Sequence, residues 1–101
     1  MFFFNEAPIE YSTDNENFYL DVFLPGMKKE NIEINYKNNI LTIAGNRKEG
    51  EAKYSEITKG KVKRQLKIEN IKFDEASANY KEGVLKIIMP FEEKIGKLLI
   101  S

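Results

Sequence analysis

Lys59, Lys61, Lys63 and Lys67 surround Arg64 at same-parity positions and form the densest run of one chemistry in the chain. A row of this kind would track a phosphate backbone if it stood in a positive field and alternated with aromatic stacking surfaces. Here Val62 and Leu66 interleave it, and 16 basic residues are cancelled by 16 acidic ones. With no net charge there is no long-range field toward nucleic acid or an acidic membrane surface. The row reads instead as charge on the wet face of a strand, where it discourages edge-to-edge aggregation. The inventory of reactive groups is equally restrictive. The chain has no histidine and no cysteine, so the usual zinc sets, thiol catalysis and disulfides have no residues to form them. Serines and threonines are few and none lies in a nucleophile-elbow context, and the lysines and carboxylates form no catalytic constellation. Phosphate-loop and dinucleotide glycine patterns are missing. The expectation is a protein that is not an enzyme and carries no cofactor or metal.

Three features remain. Arg64 shares its phase with Val62, Leu66 and Ile68, so a permanently charged guanidinium points toward the side that the apolar residues bury. It needs a carboxylate or carbonyl partner, because removing half of a buried pair costs about 3 to 5 kcal/mol. The other reading is an arginine partly exposed at a sheet margin. Leu98 and Ile100 lie two residues apart on a polar tether that begins after Pro90. In an extended segment they share a face, which suits insertion at a sheet edge. The alternatives are a tail that frays or folds back onto its own domain. Phe2, Phe3 and Phe4 make an apolar knob, suited either to contact with other proteins or neighbouring subunits, or to packing on the subunit's own sheet.

The elements that must position these groups are strands. Apolar residues recur at every second position in short runs and almost never at helical spacing. Phe18, Leu20, Val22 and Leu24 share a phase before Pro25-Gly26, and Ile32, Ile34 and Tyr36 form the next set. Asn38-Asn39 supplies the left-handed backbone of a two-residue hairpin, and 40–44 is the returning strand. Residues 45–52 read as a loop, 53–58 as a short strand, and Val62 to Ile68 as a strand with one wet face. Strands at 77–80 and 84–89 complete the body, while 27–31 is long enough for one helical turn. Turn signals about every eight to twelve residues and the lack of any crossover helix predict an all-β, immunoglobulin-like antiparallel β-sandwich.

Ala78-Asn79-Tyr80-Lys81-Glu82-Gly83-Val84-Leu85, followed by Lys86-Ile87-Ile88-Met89-Pro90, resembles the signature of the α-crystallin domain of the small heat-shock proteins. The resemblance is collinear along nearly the whole chain. Pro8-Ile9-Glu10 with Asp14 is similar to the start of that domain. Phe18-Tyr19-Leu20-Asp21-Val22-Phe23-Leu24-Pro25-Gly26 resembles its run ending in Leu-Pro-Gly, with Glu30-Asn31-Ile32 following. Asn39-Ile40-Leu41-Thr42-Ile43-Ala44-Gly45 looks like the next strand and its glycine exit, and Gly60-Lys61-Val62-Lys63-Arg64 like the Gly-x-Phe-x-Arg element. Leu98-Leu99-Ile100 stands where the family carries an Ile-x-Ile tail. The resemblance implies an arm at 1–7, an α-crystallin domain at 8–90 and a C-terminal extension at 91–101.

It further implies an ATP-independent chaperone that binds unfolding client proteins and self-associates as a dimer and a larger homo-oligomer. Arg64, with Tyr54 and Ile57 on the segment that partners exchange, would face the dimer interface. Leu98 and Ile100 would enter a groove lined by Leu41, Ile43, Leu85 and Ile87 of a neighbour. Departures from the pattern bear on function. Only 1–7 precede Pro8, so the family's long arm is nearly absent, the 45–60 loop is a few residues short, and the step after Arg64 lacks the usual Leu-Pro and predicts a rearranged loop before Ala78. A second reading is therefore a non-holdase, co-chaperone-like module docking one defined partner. Without a basic leader or an apolar run of membrane-spanning length, the chain is expected to be soluble and cytoplasmic.

Overall fold

The structure is a computed structural model describing residues 6–47 and 60–92. Within them the period-two runs form strands β1 (Ile9–Thr13), β2 (Asn17–Phe23), β3 (Ile32–Lys37), β4 (Ile40–Arg47), β5 (Gly60–Lys67), β6 (Ser77–Lys81) and β7 (Val84–Pro90). They pair antiparallel as a four-stranded sheet, β1-β2-β7-β6, and a three-stranded sheet, β3-β4-β5. The strand read at 53–58 lies outside the described residues. Single 3₁₀ turns at Lys29–Asn31 and Phe73–Glu75 sit in the connections that pass from one sheet to the other.

Register decides which side chains meet. Leu20 stands opposite Ile87 and Val22 opposite Leu85 in one sheet, while Ile43 stands opposite Ile34 and Arg64, and Leu41 opposite Tyr36 and Leu66, in the other. Each inward residue of a central strand therefore has inward neighbours on both sides, and Leu20, Val22, Leu41, Ile43, Ile87 and Met89 are fully buried. Removing such a side chain from water is worth about 1.5 to 3 kcal/mol, so the alternation itself holds the two sheets face to face. A one-residue slip would turn the whole set outward.

Both tight hairpins use left-handed backbone. Asn38 and Asn39 have φ of 53° and 65°, and Glu82 and Gly83 have 52° and 80°, the pattern that matches the twist of the flanking strands. At Gly83 the requirement is double, because a side chain there would also stand 3.2 Å from the Pro25 Cα. The Gly83 carbonyl accepts a hydrogen bond from the Leu24 amide at 2.8 Å, which ties this turn to the first connection between sheets.

Two tyrosines hold those connections. The Tyr80 hydroxyl donates to the Leu24 carbonyl at 2.6 Å and accepts from the Met27 amide at 3.3 Å. The Tyr36 hydroxyl donates to the Ile68 carbonyl at 2.5 Å, and its ring stacks on Phe73 with centroids 5.4 Å apart. Burial, reinforced by the charges of Glu92 and Glu69, raises the Tyr36 phenol above its ordinary pKa, so it stays the proton donor that this bond requires.

The structure adds an edge strand that the sequence analysis reads only as the start of the domain. In β1, Ile9, Tyr11 and Thr13 face inward opposite Val22, Leu20 and Phe18, with Glu10 and Ser12 outward. Three inward positions, one of them threonine, give a weak apolar signal, as suits a short polar edge. Asp14 closes the hairpin, accepting from the Glu16 and Asn17 amides at 2.8 and 2.7 Å and from the Tyr19 hydroxyl at 2.7 Å. The Tyr19 bond, followed by the two amides, holds its carboxyl below the ordinary value.

Gly45 faces inward beside Val62 and Ile32, where the buried Met27 side chain fills the space a Cβ would occupy. Gly45→Ala is therefore expected to cost about 1 to 3 kcal/mol through overpacking, measured by urea unfolding at fixed protomer concentration. In a Met27→Ala background the same change should cost less by about 0.5 kcal/mol or more. Equal losses in the two backgrounds would show that Met27 is not what the glycine makes room for.

Candidate functional site

Strand order leaves two margins where the sheets meet solvent. At one, β3 lies by β6. The Tyr36–Phe73 stack joins β3 to the turn before β6, and the Tyr80 bonds join β6 to the connection leading into β3. At the other margin β1 lies by β5, and residues 6–8 lead into β1 there. Ala7 is buried, and the Pro8 carbonyl accepts from the Phe23 amide at 2.9 Å. All four of these strands are the outermost strands of their sheets among the described residues. That is the geometry onto which an extended segment adds as another strand.

Arg64 projects from β5 at the β1 margin on the inward phase, opposite Ile43. Its side chain is 29% exposed, and Nη1 stands 3.5 Å from a carboxylate oxygen of Glu6, itself 77% exposed. Within the protomer this is the second sequence reading, a partly exposed arginine at a sheet margin, with an exposed carboxylate as its ionic partner. At this exposure the pair is worth at most about 1 kcal/mol within one protomer. Tyr54 and Ile57, expected beside it at a dimer interface, lie outside the described residues.

Leu41, Ile43, Leu85 and Ile87, expected to line the tail groove, come together between the sheets with exposures of 0 to 3%. They belong to β4 and β7, which have hydrogen-bonded neighbours on both sides, so in this protomer they are core and form no open edge. A segment reaching them would pass β3 or β6, the edge strands next to β4 and β7. Leu98, Ile100, Phe2, Phe3 and Phe4 lie outside the described residues. In the lysine row, Lys61, Lys63 and Lys67 alternate with Val62, Arg64 and Leu66 on the opposite phase of β5, and Lys67 pairs with Glu69 at 3.7 Å.

Sequence reasoning missed a cleft of about 440 Å³ at the end of the β1–β5 margin, lined by Tyr11, Phe18, Leu66, Ile68 and Phe91, with Lys67 and Glu69 on its rim. Tyr11 stacks on Phe18, their centroids 5.6 Å apart and nearly parallel, yet remains 68% exposed. The signal was present as Ile9, Tyr11 and Thr13 at spacing two. The cleft itself needs β1 and β5, which are about fifty residues apart in sequence, to converge.

Among the described residues no three histidine, cysteine or carboxylate groups converge as a metal site, and no helix is long and apolar enough to cross a membrane. The arrangement offers sheet-edge strands and an apolar cleft.

Comparison with known proteins supplies the family. Residues 10–98 match the model of the Hsp20/alpha crystallin family. Heat shock protein HSP.16.4 of Streptococcus thermophilus is 40% identical over 88 residues, covering 79% of this chain and 61% of that protein. The probable 15 kDa heat shock protein of Leptospira interrogans is 32% identical over 94 residues, covering 88% of this chain and 72% of that protein. This chain thus spans between three fifths and three quarters of the length of these relatives. Among solved structures, heat shock protein 16.0 from Schizosaccharomyces pombe superposes with a TM-score of 0.79 at 28% identity, covering 97% of this chain and 77% of that one. With the two-sheet antiparallel sandwich, the collinear motifs and these matches in agreement, the chain belongs to the Hsp20/alpha crystallin family of small heat shock proteins.

Proposed function

We propose that this protein is an ATP-independent holdase that binds partly unfolded proteins in the cytoplasm and lowers the concentration available to aggregate. The observation that carries this reading is the division of the sandwich into a closed apolar interior and open margins. Its fully buried apolar residues lie chiefly on the central strands, so contacts at the outer strands β1, β3 and β6 and at the aromatic cleft leave that core undisturbed. Partly unfolded chains expose unpaired backbone and apolar side chains. Many weak edge and apolar contacts suit them better than one deep pocket, and specificity follows as broad. By mass action, binding the unfolded state withdraws it from aggregation and requires no nucleotide.

Self-association is the second part of the proposal. A dimer forms across the β1–β5 margin, with Arg64, Tyr54 and Ile57 at the contact. Larger assemblies form when Leu98 and Ile100 enter a neighbour past an edge strand, toward Leu41, Ile43, Leu85 and Ile87. One tail buries little, but several acting together gain from effective concentration. Phe2, Phe3 and Phe4 serve as a client contact.

Light scattering of a thermally unfolding model protein, with and without an equimolar amount of this chain and without ATP, should show suppressed aggregation. No effect at a subunit excess, with this chain still folded, would overturn the holdase reading in favour of a module docking one defined partner. The dimer contact has its own check. Arg64→Ala should weaken dimerisation by about 2 kcal/mol or more in sedimentation experiments while leaving the far-ultraviolet circular dichroism spectrum unchanged. An unaltered dimer would mean that the Glu6–Arg64 pair serves only the margin of one protomer.

A further inference from the structure

We propose that the outer face of the four-stranded sheet packs against the same face of a second copy, about a twofold axis running along the strands between β2 and β7. On that face the outward side chains of the two central strands stand in rows. Tyr19 lies beside Ile88, Asp21 beside Lys86, and Phe23 beside Val84. Ile88 is 41% exposed in mid-strand, and the Lys86 ammonium stands 3.5 Å from a carboxylate oxygen of Asp21. The Tyr19 hydroxyl is tied to Asp14, so its ring is held in place. Two apolar rows thus flank an ion pair whose acid is on one strand and whose base is on the other.

This pattern is complementary to itself in one orientation. An axis along the strands exchanges β2 and β7, so Tyr19 of one copy meets Ile88 of the other, Phe23 meets Val84, and Asp21 meets Lys86. Each of these charges then has two neighbours of opposite sign. On the bordering strands Glu10 meets Asn79, so no like charges are opposed. An axis across the strands would instead set Asp21 against Asp21 and Lys86 against Lys86, which is repulsive. Charge therefore points to a second copy and selects its orientation. Two twisted sheets pack face to face at about 30°, which keeps the central rows together and lets the corners diverge. The face is about 20 Å on each side, or about 400 Å² per copy. An area of that size gives a weak contact by itself, and one that gains when other contacts already hold the copies together. The contact joins copies through outward side chains, so the sheet margins and the cleft stay free for partners.

The ion pair allows a direct test in the full chain. Asp21→Lys and Lys86→Glu proteins are prepared separately, with circular dichroism to check that these surface changes leave the fold intact. Each carries like charges at positions 21 and 86, so it should associate less than the unsubstituted protein, and no amide can join those positions within one chain. Mixed in equal amounts, the two variants are complementary again. Sedimentation velocity should show the mixture heavier than either component. Carbodiimide treatment of the mixture, followed by mass spectrometry of the digest, should yield amides between positions 21 and 86. Their amount is expected to be about tenfold or more above that of the same mixture carrying Ile88→Asp in both chains, where an unpaired charge would have to be buried. Equal yields in the two mixtures would reduce the contact to random collision, and a mixture no heavier than its components would show that the copies do not share this face. Either result would overturn the proposal, and neither depends on holdase activity or on the Arg64 contact.

Discussion

Everything in this molecule depends on the apolar contact between the inner faces of two sheets, which only one register per strand pair provides. Leu20, Val22, Leu85 and Ile87 from one sheet and Leu41 and Ile43 from the other are buried because β2, β7 and β4 are interior strands whose inward rows coincide. The residues at which the chain reverses or crosses serve that register. Left-handed Asn38-Asn39 and Glu82-Gly83 close the hairpins without slack. The Tyr36 and Tyr80 hydroxyls bond the Ile68 and Leu24 carbonyls where the chain passes between sheets, groups that would be costly to bury unpaired.

A consequence is that function is displaced to the margins. Interior strands have no free backbone groups, and their inward side chains are committed to the core. Recognition is left to β1, β3, β5 and β6 and to the cleft where β1 and β5 converge. Edges of this kind invite uncontrolled pairing. This chain limits it with Lys61, Lys63 and Lys67 along β5, with Glu10 and Ser12 alternating outward on β1, and with short strands on the four-stranded sheet's borders. The same features that restrain aggregation of the protein leave room for selective use of its edges. Arg64 illustrates the balance. It is too exposed for its pair with Glu6 to matter much within one protomer, and too far inward to be free of ionic demand once another surface covers it.

Much of the fold was legible in the residues. Phase alone assigned the inward faces of β2, β3 and β5, including the inward phase of Arg64, and Asn38-Asn39 marked its turn. Less visible was β1, whose inward Ile9, Tyr11 and Thr13 give a faint pattern because an edge strand buries little. Also hidden were the tyrosine hydroxyl bonds and the aromatic cleft, which join residues such as Tyr11 and Leu66 that are distant in sequence and meet only after the sheets stack. The groove residues show the limit of resemblance by strand. Leu41, Ile43, Leu85 and Ile87 do share one space, but strand order makes that space core in the single protomer, which no periodicity reveals.

The central claim is that the core carries the stability while the edges carry the binding. Hydrogen exchange of the full chain, with and without a partly unfolded client, tests it most directly. New protection is expected in β1, β3, β5 and β6, with the amides of β4 and β7 exchanging as slowly in the complex as in the free protein. Faster exchange of β4 and β7 in the complex would mean that the sandwich opens to bind, and would contradict the account.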